Sequence, residues 1–446
     1  MRIDIQNVRV IDPASGMDEV RNVSIIDGRL HLATPAPDAG AGADTRTIDA
    51  SGCLLTPGWI DAHVHLRDPG QPHKEDLQSG AEAAVAGGFT RLCCMPNTVP
   101  ALDTPELIRD VIKRGAATGV HIHPIGCISL GRRGDELAPL AAMAAAGAIG
   151  FSDDGDSTRS EDVMREALTL TRTLNLPIMV HVEDPVLGRA GALHQGPVAT
   201  ELGDPGIPAI AEESYIERDL RLAEETGGWL HVLHVSTRRG IELIRAAQQR
   251  GVQVTAEVMT HHMLLTDEWA AGRRRYAGEP ASSTVAGPCP DLDAKVNPPL
   301  RPEADALGLI DALQQGWFNF IATDHAPHAP EEKSGTLATA AFGMTGLELA
   351  LPVMTRLVER DDLTWPQAVA FLTTAPATTL NLPGGRLQDG ELADLVVIDP
   401  RTEWVISRDT IRSRSANTPM LGMSVRGRAK LTLSNGKVLH DEFPAN

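Results

Sequence analysis

The chain has 446 residues, 42% of them apolar, and carries 40 Lys and Arg against 59 Asp and Glu, a formal net charge of −19. This composition is typical of a globular protein and excludes a wholly disordered chain, while the negative charge argues against a broad nucleic-acid-binding surface. No run of about 18 apolar residues predicts a membrane span, and the start of the chain lacks the pattern of a signal peptide. Five cysteines without CxxC spacing indicate reduced thiols. We therefore expect a cytoplasmic protein that binds neither membrane nor nucleic acid.

Both ends of the chain predict short β-strands. In residues 1–57, apolar and polar residues alternate around a DG turn, and residues 386–446 repeat this pattern around an NG turn. Pairing the two ends is the economical arrangement, because the termini of a domain often lie close together. We expect residues 1–57 and 386–446 to form one small β-sandwich domain.

The middle segment, residues 58–385, alternates between strand-like and helix-like stretches. Eight apolar strand-like runs, from GWIDAHVHL to FNFIATDH, are separated by helix-like stretches, several of which end in glycine as helices often do. This alternation predicts an α/β fold, a (β/α)8 barrel of the TIM type. A doubly wound open sheet is the alternative, but no GxGxxG sequence follows an early strand.

Residues able to bind a metal end several of the predicted barrel strands, and the active sites of such barrels lie at these carboxyl ends. His63 and His65 are two apart, so both point to one side of strand one, although an isolated pair of this kind is more often structural. On strand six, His231 and His234 face opposite sides, and we favour His234 because it is nearer the carboxyl end. The candidate set from strands one, four, five, six and eight is His63, His65, Asp154, His181, His234 and Asp324.

Imidazole and carboxylate together form the donor set of a zinc-type Lewis acid. Such a metal lowers the pKa of bound water and produces hydroxide near neutral pH, and a neighbouring carboxylate that is not fully engaged as a ligand can move the proton. On strand four, Asp153 and Asp154 are adjacent. The register of the acidic ligand is therefore open by one residue, and both aspartates also suit a turn.

Polar residues near the same strand ends suit the binding of a substrate carboxylate. Arg67 follows the strand-one histidines and is a natural clamp for such a group, with a surface ion pair to Asp68 or Glu75 as the alternative. Asn97 and Asn297 can donate to the same carboxylate, and both equally suit turns.

At this point the motif series resembles that of bacterial class I dihydroorotases, a family of the amidohydrolase superfamily. The resemblance runs in order over nearly the whole chain, including its β-rich ends. HxH alone would be shared by every amidohydrolase, but the series as a whole is highly specific. The motifs are PGWIDAHVHLRDPG, GGFTRLCCMPNT, FSDDG, HVED, HVST, KVNPPLR, ATDHAPH and FGMTGLE.

The resemblance implies a composite β-sandwich, a (β/α)8 barrel, and reversible cyclisation of N-carbamoyl-L-aspartate to (S)-dihydroorotate and water in pyrimidine biosynthesis. It implies one or two zinc ions per subunit, zinc-activated hydroxide that attacks the ring amide carbonyl, and Asp324 as the general acid/base. The residues that match the zinc ligands are His63, His65, Asp154, His181 and His234. The residues that match substrate-binding positions are Arg67, Asn97, Asn297, His328 and the backbone of Phe342 and Gly343.

The chain departs from related patterns in three places. Many amidohydrolases bridge two metals with a carbamylated lysine, but no lysine lies between Lys113 and Lys295, so Asp154 is the candidate bridge. Residues 259–262 read MTHH where the family usually has TPHH. Residues 272–294 are rich in Gly, Pro and Ser and look like a loop inserted before the KVNPPLR motif, which leaves the local geometry of that motif open.

Two other functions remain alternatives. An allantoinase or a hydantoinase (dihydropyrimidinase) resembles the same barrel, but such enzymes typically use the lysine that is missing here. A non-catalytic dihydroorotase-like scaffold that supports aspartate carbamoyltransferase would have lost metal ligands, whereas every ligand position in this chain is filled. The sequence leaves open a homo-oligomer and a complex of an active enzyme with aspartate carbamoyltransferase.

Overall fold

Strands and helices alternate in the middle of the chain, and strands form both ends. A computed structural model describes residues 2–32, 45–280 and 289–444. The strands are β1 (Arg2–Asp12), β2 (Met17–Ile26), β3 (Arg29–His31), β4 (Thr45–Asp49), β5 (Leu54–Pro57), β6 (Trp59–Val64), β7 (Phe89–Cys94), β8 (His121–Pro124), β9 (Ile178–Val180), β10 (Leu230–Val232), β11 (Val254–Met259), β12 (Phe320–Ala322), β13 (Leu395–Val405), β14 (Ser424–Ser434) and β15 (Lys437–Asp441). The helices are α1 (Leu77–Gly87), α2 (Pro105–Gly115), α3 (Leu140–Ala146), α4 (Glu161–Leu174), α5 (Pro197–Glu201), α6 (Ile210–Thr226), α7 (Arg238–Gln249), α8 (Thr260–Leu264), α9 (Glu303–Gln314), α10 (Ala350–Glu359), α11 (Trp365–Leu372) and α12 (Thr374–Thr379).

The parallel strands of the middle segment form two runs, β6 to β8 and β9 to β12, each in chain order. Between the runs, the fourth predicted strand is reduced to Phe151, which forms parallel bridges to Gly126 and Ile178. A parallel bridge between Val64 and His325 joins the end of the second run to β6 and closes the ring. The prediction of a (β/α)8 barrel is therefore confirmed, and the carboxyl ends of its strands meet at one rim.

Local sequence sets where the helices around the barrel begin and end. Asp76 caps α1, since its carboxylate accepts from the backbone N–H groups of Gln78 and Ser79. The same helix ends at Gly88, whose φ of +93° lies in the left-handed region that favours glycine. Of the helices in the described ranges, none is long and apolar enough to cross a membrane.

Strands from both ends of the chain form one eight-stranded sheet in the order β15-β14-β13-β5-β1-β2-β3, with β4 pairing in parallel with β1. Along β13, Leu395 and Val397 pack in the apolar core of this sheet, whereas Val396 and Ile398 pack in the core that includes the barrel helices. Because side chains alternate between the faces of a strand, the first four residues of β13 are buried on both sides. Thr432 of β14 also donates to a backbone carbonyl of α1, so the sheet lies against the barrel.

The segment predicted as an inserted loop, residues 272–294, is described on either side of residues 281–288, which lie outside the described residues. Its described parts contain one turn of 3-10 helix at Leu292–Ala294. Arg273 anchors the first part by an ion pair of 2.5 Å with Glu201 at the end of α5.

Candidate active site

A cavity of about 300 Å³ opens at the rim where the barrel strands end, as expected for this fold. The structure brings the residues predicted from the sequence together here. His63 lies in the same group of residues, but it is fully buried and does not line the cavity. The predicted residues that line it are His65, Arg67, Asn97, Asp154, His181, His234, Asn297, Asp324, His328, Phe342 and Gly343.

The Asp154 carboxylate lies between two pairs of histidines. Its Oδ2 is 3.8 Å from His63 Nε2 and 3.5 Å from His65 Nε2. Its Oδ1 is 3.3 Å from His234 Nε2 and 3.7 Å from His181 Nδ1. Each oxygen thus faces one pair of histidines, which is the arrangement that a carboxylate needs to bridge two cations.

Asp324 completes the cluster on the side of the strand-one histidines. Its Oδ1 is 2.9 Å from His65 Nε2 and 3.6 Å from His63 Nε2. In a tetrahedral zinc site, bonds of about 2.0–2.1 Å separate neighbouring ligand atoms by roughly 3.3 Å. The distances across this cluster bracket that value, and His63, His65 and Asp324 form a group able to hold a metal ion, as do His63, Asp154 and His234.

The hydrogen bonds on the outer sides of the rings support this assignment. His63 donates from Nδ1 to Glu257, and His65 donates from Nδ1 to the amide oxygen of Asn97, so in the neutral rings both Nε2 atoms carry lone pairs. These lone pairs face carboxylate oxygens, and the buried His63 Nε2 has no hydrogen-bond partner. Lone pairs that face each other need a positive charge between them, either a proton or a metal ion. The residues present therefore fit a bound metal.

The pKa shifts in the cluster also indicate a site that favours a cation. Burial lowers the pKa of His63, but Glu257, Asp154 and Asp324 outweigh burial and raise it well above its usual range. Burial raises the pKa of Asp154, but the surrounding histidines, His63 foremost, hold it well below its usual range. Positive charge is thus strongly favoured at the centre of this group.

Asp153, the adjacent candidate for the acidic ligand, makes hydrogen bonds outside the histidine cluster. Its carboxylate accepts from the backbone N–H groups of Ile128 and Ser129 and from the hydroxyls of Ser129 and Thr158. Its lone pairs therefore hold the loop after β8, and Asp154 is the acid that faces the histidines.

Glu257 is a functional residue that the sequence analysis missed. It lies fully buried on β11, and its Oε1 is 2.7 Å from His63 Nδ1. Its Oε2 is 3.4 Å from His231 Nε2, so His231 is a second neighbour of this carboxylate. Burial raises the pKa of Glu257, but His63 and His231 outweigh burial and lower it to about 2. A single acid within an apolar barrel strand was the signal that could have identified it.

Glu257→Gln should weaken metal binding by about 10–100-fold, because the carboxylate that orients His63 and increases its basicity is lost. Competition with a chelator would measure this affinity. Glu242→Gln is the matched control, since Glu242 lies on the surface of α7 and pairs with Arg238. Equal metal affinity in the two variants would contradict the role of Glu257.

Arg67 reaches the cavity from the turn after β6. Its Nε donates to the Pro327 carbonyl at 3.2 Å, and its Nη2 lies 3.2 Å from His328 Nε2. The surface ion pairs considered for Arg67 are not found in the described part of the chain, where Asp68 pairs with Arg114 instead. Burial lowers the pKa of Arg67 to about 10, so the guanidinium remains charged at neutral pH.

The two asparagines differ in their use. Asn97 Oδ1 accepts from His65 Nδ1 at 2.8 Å, which leaves Nδ2 as the donor of the amide that faces the cavity. Asn297 places Nδ2 3.3 Å from His181 Nε2, while its buried Oδ1 has no hydrogen-bond partner. Both side chains therefore touch a predicted metal ligand and line the cavity.

Two further residues missed by the sequence analysis hold the segment after β12. Lys333 is buried and donates to the carbonyls of Lys295, Ala341 and Gly343. Asn417, which follows β13, donates to the carbonyl of Gly343 at 3.0 Å and accepts from the backbone N–H of His328 at 3.0 Å. The contacts of Asn417 and the contact of Lys333 with Lys295 join parts of the chain that are 38 or more residues apart, so no local pattern predicted them.

Family models and curated relatives match this chain along most of its length. A family model described as Dihydro-orotase-like matches residues 52–240, and one described as Amidohydrolase family matches residues 230–440. A dihydroorotase from Syntrophotalea carbinolica is 44% identical over 441 residues, covering 99% of both chains. The chain belongs to the dihydroorotase family. A dihydroorotase from Anaeromyxobacter dehalogenans is 43% identical and covers 99% of this chain and 98% of its own length.

Two solved hydantoinase structures are similar to this fold. An L-hydantoinase (dihydropyrimidinase) from Arthrobacter aurescens gives a TM-score of 0.82 at 25% identity, covering 100% of this chain and 97% of its own. A D-hydantoinase (dihydropyrimidinase) from a Thermus species gives a TM-score of 0.78 at 24% identity, with the same coverage. The resemblance to dihydroorotases is thus confirmed, and membership of the family makes this chain an enzyme of the amidohydrolase type.

Proposed function

We propose that this chain is a zinc-dependent dihydroorotase, which interconverts N-carbamoyl-L-aspartate and (S)-dihydroorotate in pyrimidine biosynthesis. The observation that carries the proposal is the cluster in which Asp154 lies between two histidine pairs, with Asp324 beside one pair and the buried Arg67 on the same cavity. Metal-binding donors next to the buried guanidinium of Arg67 suit a substrate that is a cyclic amide and carries a free carboxylate.

His63, His65, Asp154, His181 and His234 would hold the zinc. Asp154 has histidines on both sides, and this donor set would hold one or two zinc ions. When bound, zinc polarises a carbonyl oxygen and lowers the pKa of coordinated water. The nitrogen and oxygen donors of the cluster suit zinc chemically.

Asp324 moves the proton. Burial raises the pKa of Asp324, but His63, His65 and His234 lower it below its usual range, so the group enters the reaction as a base. In ring opening, water adds to the ring carbonyl carbon and the bond from this carbon to the ring nitrogen breaks. Asp324 accepts the proton from the attacking water and delivers it to the leaving nitrogen. In cyclisation the same steps run in reverse and water is released.

Arg67, Asn97 and His328 bind the carboxylate that does not react. Arg67 supplies the charge, Asn97 retains its Nδ2 as a donor, and His328 lies 3.2 Å from the Arg67 guanidinium. Asn297 and the backbone of Phe342-Gly343 bind the ring. Fixing the carboxylate orients the ring carbonyl towards Asp324, which lowers the entropic part of the barrier.

Arg67→Met should raise the KM for dihydroorotate by about 10–100-fold, the loss expected for a hydrogen bond to a charged group. Zinc content should stay the same, because Arg67 touches none of the metal-binding atoms. Steady-state kinetics and metal analysis measure both quantities. Arg109→Met, at a surface position on α2, is the control. An unchanged KM would show that Arg67 does not bind the carboxylate.

Turnover of three substrates separates this proposal from its alternatives. Purified protein should open dihydroorotate in preference to hydantoin and allantoin, since only the first carries a carboxylate for Arg67. Preference for a neutral ring would favour the hydantoinase or allantoinase alternative. No turnover and no bound metal would favour the scaffold of aspartate carbamoyltransferase.

The proposal extends to the setting of the enzyme. It includes a cytoplasmic location, a small-molecule substrate, and a division into a β-sandwich domain (residues 1–57 and 386–446) and a barrel domain (residues 58–385). A homo-oligomer and a complex with aspartate carbamoyltransferase are the protein assemblies compatible with it. Sedimentation of the protein alone and with that partner tests both.

A further inference from the structure

A second arginine lines the cavity and has no part in the account above. Arg132 lies in the turn after β8, and its side chain is 18% exposed. Its Nη2 donates to Asp156 Oδ2 at 2.8 Å, while its Nε is buried without a hydrogen-bond partner. An incompletely paired guanidinium beside a substrate cavity is a candidate for binding an anionic group.

The backbone of Arg132 also sets it apart. Its φ is +59°, a conformation that is unfavourable for side chains with a Cβ. Among the described non-glycine residues with positive φ, all are Asn or Asp except Arg67, Arg132 and His234. These three residues all line the cavity. Strain of this kind concentrates at functional sites, where surrounding contacts impose it.

Arg132 and Asn97 converge on the same side of the cavity. A Cβ added to Gly155 would lie 3.1 Å from Arg132 Nη2 and 3.4 Å from Asn97 Nδ2, so glycine leaves room for both groups. Asn97 Nδ2 is the donor of an amide assigned above to the substrate carboxylate.

We infer that Arg132 is a specificity-determining residue that binds the non-reacting carboxylate of the substrate together with Arg67 and Asn97. This inference rests on the proposed function and deepens it. Two arginines in one small cavity repel each other until an anion is bound, so the site selects ring amides that carry a carboxylate and rejects neutral ones. Asp156 keeps the guanidinium at the rim by accepting one N–H of Nη2, which leaves the second N–H of Nη2 and those of Nη1 for the ligand.

Arg132→Met tests this inference by kinetics and by binding. The KM for dihydroorotate should rise by about 10–100-fold with kcat within about threefold, as for loss of a charge-assisted hydrogen bond. Binding of the planar analogue orotate should weaken to a similar extent in calorimetric titration, whereas binding of its carboxamide should change little. Arg132→Lys should recover part of the loss because it keeps the charge.

Arg133→Met is the matched control, because this neighbour is 62% exposed on its side chain and pairs with Asp135. An unchanged KM in Arg132→Met, or equal weakening of orotate and its carboxamide, would overturn the inference. Failure of the wild-type protein to open dihydroorotate would instead overturn the proposed function. The orotate titrations would still test Arg132 in that case.

Discussion

Asp324→Asn should reduce kcat for the ring opening of dihydroorotate by about 10²–10⁴-fold, the usual contribution of a general acid/base. The amide retains an oxygen next to His65 Nε2, where the carboxylate oxygen lies at 2.9 Å, so zinc binding should change little. The amide cannot accept the proton of the attacking water, which removes both proton transfers of the reaction. Steady-state kinetics and metal analysis on one preparation measure the two effects separately.

Asp311→Asn is the control for this experiment, since Asp311 is exposed on α9, away from the rim residues. It should keep the wild-type kcat and zinc content. A near-wild-type kcat in Asp324→Asn would refute the acid/base role. Loss of zinc together with kcat would mean that Asp324 acts mainly as a metal ligand.

Asp154→Ala should remove zinc and reduce turnover by at least about 100-fold. Loss of a residue that only hydrogen-bonds to a metal ligand already costs up to about 100-fold, and Asp154 is itself a proposed ligand. The reason is geometric. Asp154 is the residue whose two oxygens face both histidine pairs, at 3.5 Å from His65 Nε2 and 3.3 Å from His234 Nε2. Without it, the two pairs lose their common anion, and Asp324, beside His63 and His65, is the carboxylate that remains in the cluster.

Asp162→Ala provides the matched control, because its side chain is 97% exposed at the start of α4. The zinc-to-protein ratio and kcat/KM should be normal in this variant. A wild-type zinc ratio in Asp154→Ala would contradict the bridging role.

The barrel was predicted mainly from sequence periodicity, because the alternation of strands and helices can be recognised from local sequence. The placement of His and Asp at strand ends followed from it, since parallel strands bring their carboxyl ends to one rim. Strand four shows the limit of this reasoning. Asp153 and Asp154 are adjacent and chemically identical, and only hydrogen bonds from Ser129 and Thr158 to Asp153 separate their roles. Ser129 is 24 residues away in another loop and Thr158 is five residues further along the same one, and neither contact follows from the adjacent pair of aspartates.

The supporting residues were harder to predict for the same reason. Glu257 stands out in an apolar strand, but its partner His63 is 194 residues away. Asn97 was predicted to bind substrate, and its hydrogen bond to His65 adds a second task that its turn-like sequence does not reveal. Arg132 belongs to a GRRG turn whose sequence suits an exposed loop. Long-range packing, rather than local sequence, brings such residues to the cavity.

The central claim is zinc-dependent ring opening of dihydroorotate by this chain. The most direct test follows the loss of ultraviolet absorbance of L-dihydroorotate with the purified protein, then after chelation, and again after zinc is returned. We expect turnover that disappears on chelation and recovers with zinc. Turnover that survives complete removal of metal, or none with stoichiometric zinc bound, would contradict it.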